Sequence, residues 1–289
     1  MHRTVGRGIL PIALMAALTT VAACGFWGDS DSHAEDSPAG SERADAGSLA
    51  ALRAAEKATG KAGSARITST TVMGDMLSME TDGALGWAGA STGTLRLTYT
   101  GGQLADTMRK LGSASMEARL LPDAYYAKVG DEFAAQMHGK HWIKYAYDDL
   151  ESLPGGSGTY LKEQLANTAP LPPVKLLLVS EDLHKVGEEE VRGERTTHYS
   201  GTVNVADLKG ADALKEQLEQ AGVTTETVDV WINGDDLLVK KAEKGELTTG
   251  SMSATAYYSD YGVQVSAQEP PASDTADFKE LMKSQGATQ

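Results

Sequence analysis

One cysteine, Cys24, stands in 289 residues, so no disulfide can close within the chain. Positive charge is scarce: 26 Lys and Arg face 40 Asp and Glu, a formal charge of −14 that argues against nucleic acid as a partner. Familiar hydrolase signatures are missing as well. No Gly-x-Ser-x-Gly stands between a strand and a helix as a nucleophile elbow requires, and neither Ser-x-x-Lys nor His-Glu-x-x-His occurs. Gly155-Gly156-Ser157-Gly158 lacks the lysine of a phosphate loop and reads as a connector. These absences point away from an enzyme, and no cofactor or metal is expected.

The beginning of the chain is the most informative part of what is there. Arg3 and Arg7 precede an apolar run from Ile9 to Ala23 that ends in small residues, the pattern of a secretory signal peptide. At about 15 residues the run falls short of the ~20 that a helix needs to cross a bilayer core. Its end, Val21-Ala22-Ala23-Cys24-Gly25, resembles the lipobox read by bacterial prolipoprotein-processing enzymes. Residues 1–23 are therefore expected to be removed and Cys24 to be acylated. Two acyl chains anchor durably where one binds only marginally. Replacing Cys24 by Ala should release the protein into the medium or periplasm; an unchanged membrane fraction would contradict the lipoprotein reading.

Residues 24–47 are rich in Asp, Ser, Gly and Ala, with Asp29, Asp31, Glu35, Asp36, Glu42 and Asp45 opposed only by Arg43. Such a composition cannot bury a core and reads as a tether. Loss of Arg3 and Arg7 with the signal takes the charge from −14 to −16, so an anionic lipid surface repels the domain and the anchor must supply adhesion.

Residues 48–289 fit one large β-rich domain or two small ones, and no Pro/Gly/Ser linker is long enough to force a split. Ser48 to Gly63 is alanine-rich helix material, with Ser48 as N-cap and Gly60 or Gly63 as the stop. Alternation and β-branched or aromatic content predict strands at 66–73, 81–87, 94–100, 116–121, 125–129 and 142–145, pairing as an antiparallel meander. A helical block follows at 160–167 and 172–179, the second opened by Pro172-Pro173. Strands resume at 186–191 and 196–205, and an amphipathic helix is expected over 206–220, stopped by Gly222. Strands at 225–232 and 237–242 flank Asn233-Gly234-Asp235-Asp236, where Asn-Gly supplies the positive φ angles of a hairpin. Strands at 247–258 and 263–267 close the domain before Pro270-Pro271 and a polar tail. The fold class is α+β: a long antiparallel sheet that curls into a half-barrel, with helices on one side.

Several stretches resemble the LolA-like lipid-binding fold, and within it the actinobacterial lipoproteins of the LppX and LprG type. They are Leu121-Pro122-Asp123-Ala124-Tyr125-Tyr126-Ala127-Lys128, Gly139-Lys140-His141-Trp142-Ile143-Lys144, and Gly193-Glu194-Arg195-Thr196-Thr197-His198-Tyr199 with Val203-Asn204-Val205. Asp229-Val230-Trp231-Ile232-Asn233-Gly234, continuing to Lys240, and Tyr258-Ser259-Asp260-Tyr261-Gly262 complete the resemblance, which covers nearly all of the chain beyond the tether. It implies a curved sheet wrapped over helices, with an apolar cavity between them that holds acyl chains. The same fold also occurs in periplasmic regulators of anti-sigma factors, so a protein-binding sensor or scaffold at the envelope stands as the alternative to a lipid carrier. A structural lipoprotein without ligand is the third possibility.

A large sheet covered by a few short helices leaves apolar surface for a ligand. Met73, Met76, Met79, Met108, Met116 and Met137 crowd one part of the chain, and methionine adapts to irregular apolar partners or simply fills a core. Leu104, Met108 and Leu111 share one face of a helix over 102–112, either a lid over a cavity mouth or a stripe packed on the sheet. The expected ligand-lining set is Met73, Met76, Met79, Leu104, Met108, Leu111, Leu161, Leu165, Leu176 and Leu177. Trp87, Trp142 and Trp231 read as core anchors before a sugar-stacking platform. His138 and His141 fit a surface loop better than a metal site, which needs three or four convergent ligands. Asp235-Asp236 and Glu188-Glu189-Glu190 serve as turn and solvated strand as well as they would serve calcium. His184 and His198 show no partner in the sequence.

Overall fold

The computed structural model describes residues 46–151, 170–208, 215, 216, 218, 219, 222–247 and 250–286. Cys24, Leu161, Leu165, most of the helix expected over 206–220 and the whole of that over 160–167 lie outside them; residues 215, 216, 218 and 219 are helical.

The first helix, α1 (Ala46–Ala62), buries Ser48, Leu52, Ala55 and Thr59, spaced four, three and four apart along one face. Ser48 thus lies inside the first turn instead of capping it. Gly63, at φ +72°, ends the helix in a backbone region that costs other residues a steric clash. The chain then runs through β1 (Ser64–Met73), β2 (Leu77–Gly86), β3 (Thr92–Gly101), α2 (Gly102–Lys110), β4 (Ser115–Leu120) and β5 (Ala124–Lys128). After α3 (Asp131–Gln136), β6 (Trp142–Ala146) and α4 (Tyr147–Glu151), the helix α5 (Leu171–Leu178) carries two prolines in its first turn, where no donor is lost. The second half is β7 (His184–Val191), β8 (Glu194–Asn204), β9 (Val223–Asn233), β10 (Leu238–Leu247), β11 (Gly250–Ser259), β12 (Thr275–Asp277) and α6 (Phe278–Gly286).

These twelve strands form one open curved sheet in the order β12-β6-β5-β4-β3-β2-β1-β11-β10-β9-β8-β7. Every pairing is antiparallel except β12 with β6. The pairing of β1 with β11, Arg66 opposite Ser259 through Met73 opposite Met252, joins the two halves of the chain into one sheet. One face of the sheet, here the inner face, carries Ile67, Leu85, Leu95, Ala118, Val228, Val230 and Ala256 against Leu52 and Ala55 of α1 and Val174 and Leu177 of α5.

The sequence expectation fails at several points, for identifiable reasons. Residues 263–267 form no strand: β11 already has β1 and β10 on its two sides, and the Val263 carbonyl accepts the Ser64 hydroxyl at 2.6 Å. The expected polar tail instead supplies β12 and α6, which find the free edge at β6; Phe278 lies 4.7 Å from the Tyr145 ring. In the β9–β10 turn the positive φ falls on Asp236, at +59°, and not on the Asn233-Gly234 pair. The Asn233 side chain makes the turn by accepting the N–H groups of Asp235 and Leu237 at 3.0 and 2.8 Å. Leu247 ends β10 instead of opening β11. Trp87 lies just past β2, where its indole N–H donates to the Thr59 carbonyl at 3.1 Å and ties the sheet to α1.

The helix α5 approaches the sheet at Gly201. A Cβ there would come within 2.7 Å of Ser180 Oγ and 2.9 Å of Leu177 Cδ2. Ser180 is held by Asp182 and by the Thr202 carbonyl, at 2.6 and 3.0 Å, and cannot turn aside freely. Gly201→Ala should cost about 1–3 kcal/mol through this overpacking; an unchanged urea midpoint would show that the contact yields.

Candidate ligand-binding face

Strand alternation puts Ser69, Thr71 and Met73 on the same face as Ile67. Across the ladder their neighbours are Thr81, Met79 and Leu77 of β2 and Ala256, Ala254 and Met252 of β11. On β3, Leu97 lies opposite Thr81 and Tyr99 opposite Met79. Where α1 and α5 cover this face it is closed: Ile67, Leu85, Leu95 and Ala256 are all buried. Toward the other ends of the strands closure is incomplete, and Met73, Leu77, Met79, Leu97, Tyr99 and Met252 are only half-buried.

The expected lining residues divide along this line. Met73 and Met79 lie on the half-buried strip, and Met76 is exposed in the turn between them. Leu104, Met108 and Leu111 belong to the same end of the sheet, because the first turn of α2 is tied to that turn: the N–H groups of Gln103 and Leu104 donate to the carbonyls of Asp75 and Met76 at 3.1 and 3.0 Å. Met108 is buried, and Leu104 and Leu111 half-buried. Leu176 and Leu177 sit in the closed core beneath α1.

The inner face carries Tyr99 on β3, Tyr125 on β5 and Tyr145 on β6, and Tyr147, the first residue of α4, packs against the same core. Burial raises all four phenol pKa values, that of Tyr147 to about 12 with help from Asp123, so each ring presents a neutral hydroxyl. The Tyr125 and Tyr145 rings are 5.6 Å apart.

Sequence reading missed a group of charges on this apolar face. Glu226 shares its side of β9 with Val228 and Val230, and Lys241 and Glu243 share theirs on β10, opposite Val230 and Val228. Lys241 Nζ pairs with Glu243 Oε2 at 2.8 Å, and both Lys241 and Glu226 are 7 % exposed. Burial, and then the neighbouring Glu243, push the Glu226 carboxyl up to about 7. Burial alone would lower the Lys241 pKa, but Glu243, Tyr258 and Glu226 outweigh it and hold the ammonium above its ordinary value. The Tyr258 hydroxyl beside them is buried without a hydrogen bond among the described residues, and burial lifts its pKa to about 12. The signal for Glu226 was its i, i+2, i+4 spacing with Val228 and Val230. For Lys241 a register shift between Leu238 and Lys240 reverses which side the later residues occupy.

The outer face is built differently. Trp231 is stacked on His198 with ring centroids 4.1 Å apart and lies 3.7 Å beneath Lys240 Nζ; Trp142 lies 4.5 Å beneath the Arg119 guanidinium. Trp142 and Trp231 are buried anchors of this face. His198 has partners after all: its ring nitrogens meet Glu189 at 3.0 Å and Asp229 at 2.8 Å. The Glu189 pKa is lowered by hydrogen bonds from Trp231 and His198. His184 Nδ1 lies 2.7 Å from the Asp182 carbonyl, and His141 Nδ1 lies 2.8 Å from Asp274. A polar depression of ≈ 200 Å³ on this side is bordered by Thr68, Thr70, Glu80, Asp82, Arg192 and Tyr257. Gly89-Ala90-Ser91-Thr92-Gly93 has the spacing of a nucleophile elbow, a match the sequence reading passed over, but it turns between two antiparallel strands instead of from strand to helix. Among the described residues no helix is long and apolar enough to cross a membrane.

No family model matches the chain. The Streptomyces coelicolor protein named "Putative lipoprotein SCO4650" is 51 % identical over 298 aligned positions, covering 98 % of this chain and 99 % of the relative. Among solved structures, LprF from Mycobacterium bovis aligns over 79 % of this chain and 99 % of its own, at 14 % identity and a TM-score of 0.49. The Mycobacterium tuberculosis lipoprotein LppX aligns over 77 % of this chain and 100 % of its own, at 19 % identity and a TM-score of 0.48. With half of its residues identical over nearly the full length of both proteins, this chain belongs to the family of that S. coelicolor protein.

Proposed function

We propose that this chain is an envelope lipoprotein, anchored through acylated Cys24, that binds a lipid or similar hydrophobic ligand on the inner face of its sheet and passes it on outside the cytoplasmic membrane. It performs no catalysis in this reading. The observation that carries it is the half-buried strip of Met73, Leu77, Met79, Leu97, Tyr99 and Met252, continuous with a closed core yet not itself closed by α1 and α5. Apolar surface left incompletely covered is what an acyl chain can fill, at about 0.8 kcal/mol per methylene removed from water. Methionine at three of those positions suits a ligand of irregular shape. The lipoprotein name of the S. coelicolor relative supports the anchor.

The test is mass spectrometry of the organic extract of the full-length protein purified from membranes. Because the anchor is covalent it stays with the protein, so its acyl chains do not appear in the extract, and bound ligand is told from co-purified membrane lipid by its stoichiometry and class. One lipid class at near-equimolar amount is expected, falling at least several-fold in Met79→Glu; lipids in the proportions of the bulk membrane, unaffected by the substitution, would overturn the reading.

A further inference from the structure

The inner face carries one row of residues that leads straight from apolar to charged. Register pairs Leu77 with Met73, Met73 with Met252, Met252 with Gly245 and Gly245 with Glu226, across β2, β1, β11, β10 and β9. Gly245 leaves the row open beside Glu226; a Cβ there would meet nothing closer than Met252 Cε, at 3.6 Å. The next row places Glu243 between Ala254 and Val228, and the one after places Lys241 between Ala256 and Val230. Tyr258 lies two residues beyond Ala256 on the same face.

This cluster is unbalanced in charge and in hydrogen bonding. Lys241 is matched by Glu243 at 2.8 Å, which leaves the Glu226 carboxylate without a cation of its own among the described residues. The Tyr258 hydroxyl, in a side chain only 3 % exposed, is the buried side-chain polar atom left without a hydrogen bond among the described residues, and in the same cluster the 7 % exposed Glu226 keeps its carboxylate free of an ion pair to them. Buried polar groups are nearly always satisfied, and one left unpaired is costly. Both atoms here are able to accept a proton donor. The register sets Glu226 at one end of the cluster and Tyr258 at the other, with Glu243 and Lys241 in the rows between; a donating group would satisfy either, whereas an anion would place a third negative charge beside two carboxylates and a single ammonium.

Resting on the reading of the inner face as a ligand site, we infer that Glu226, Lys241, Glu243 and Tyr258 receive the polar end of an amphiphile, one that donates hydrogen bonds and bears no negative charge. Its apolar chain runs along the row through Met252, Met73 and Leu77. An amine or a glycerol-type hydroxyl head has the required chemistry; a carboxylate or phosphate head does not.

The experiment uses the full mature protein in nanodiscs, with empty nanodiscs as background, and measures displacement of a fluorescent apolar probe at pH 8 by decylamine, monodecanoylglycerol and decanoate. Decylamine and monodecanoylglycerol are expected to bind at least tenfold more tightly than decanoate. Glu226→Gln should reduce decylamine affinity about tenfold and monodecanoylglycerol affinity only about two- to threefold, since glutamine still accepts a hydrogen bond but carries no charge, which separates a charged from a neutral head. Tyr258→Phe, which keeps the ring packed, should weaken both several-fold. Decanoate binding as tightly as the other two, or Glu226→Gln and Tyr258→Phe leaving every ratio unchanged, would overturn the inference while the hydrophobic-ligand reading stands. Failure of all three compounds to displace the probe would overturn that reading itself.

Discussion

Lys241→Met is expected to destabilise the folded protein by about 3–5 kcal/mol at pH 8, the usual cost of removing one partner from a buried ion pair. Methionine keeps the length of the side chain, so the loss is electrostatic. Without the ammonium, Glu243 loses its partner at 2.8 Å and Glu226 loses the cation nearest to it, leaving two carboxylates on one apolar face. Protonation relieves that repulsion, so the cost should shrink as pH falls toward 5. Urea unfolding at the two pH values measures it. A penalty under about 1 kcal/mol at pH 8 would mean that water reaches the pair freely, as it does for surface ion pairs.

Glu226→Gln should act in the opposite direction. The folded-state pKa of Glu226, about 7, lies above its ordinary 4.5, so the folded chain retains a proton that the unfolded chain has already released. The contribution to stability is fully present below pH 4.5 and is lost as pH rises through 7. Glutamine imitates the protonated form and does not ionise. At about 1.4 kcal/mol per pKa unit, the variant should therefore be about 3 kcal/mol more stable than the native chain at pH 8, and nearly equal to it at pH 4. A variant equally or less stable at pH 8 would show that the ionised carboxylate is well accommodated. The apparent paradox of a group that costs stability and is still present is what a binding position looks like.

Much of this fold was legible in the chain because most strands announce themselves by alternation: 66–73, 94–100 and 225–232 each fall within β1, β3 and β9. What was not legible depends on pairing between distant segments. The short β12 is a strand only because the edge of β6 is free to receive Thr275–Asp277, and 263–267 is not one because β11 has no free edge. Nothing local in either stretch encodes this. The methionines of the candidate face were visible by type, and Met73 and Met79 take their places on the half-buried strip through strand parity. Lys241 was hidden because the irregularity between Leu238 and Lys240 shifts the parity of the strand. The outer partners of His198 lie on two other strands, nine and thirty-one residues away, beyond any local pattern.

Whether a lipid occupies the inner face is tested most directly by photocrosslinking the full-length protein in its own membrane. A benzophenone amino acid at Met79, on the inner strip, is compared with one at Thr70, on the outer face. The account predicts a lipid-sized mass added at position 79 and none at 70. Equal lipid labelling at both positions, or a protein crosslinked at 79, would contradict it, and the second result would point to a protein-binding sensor instead.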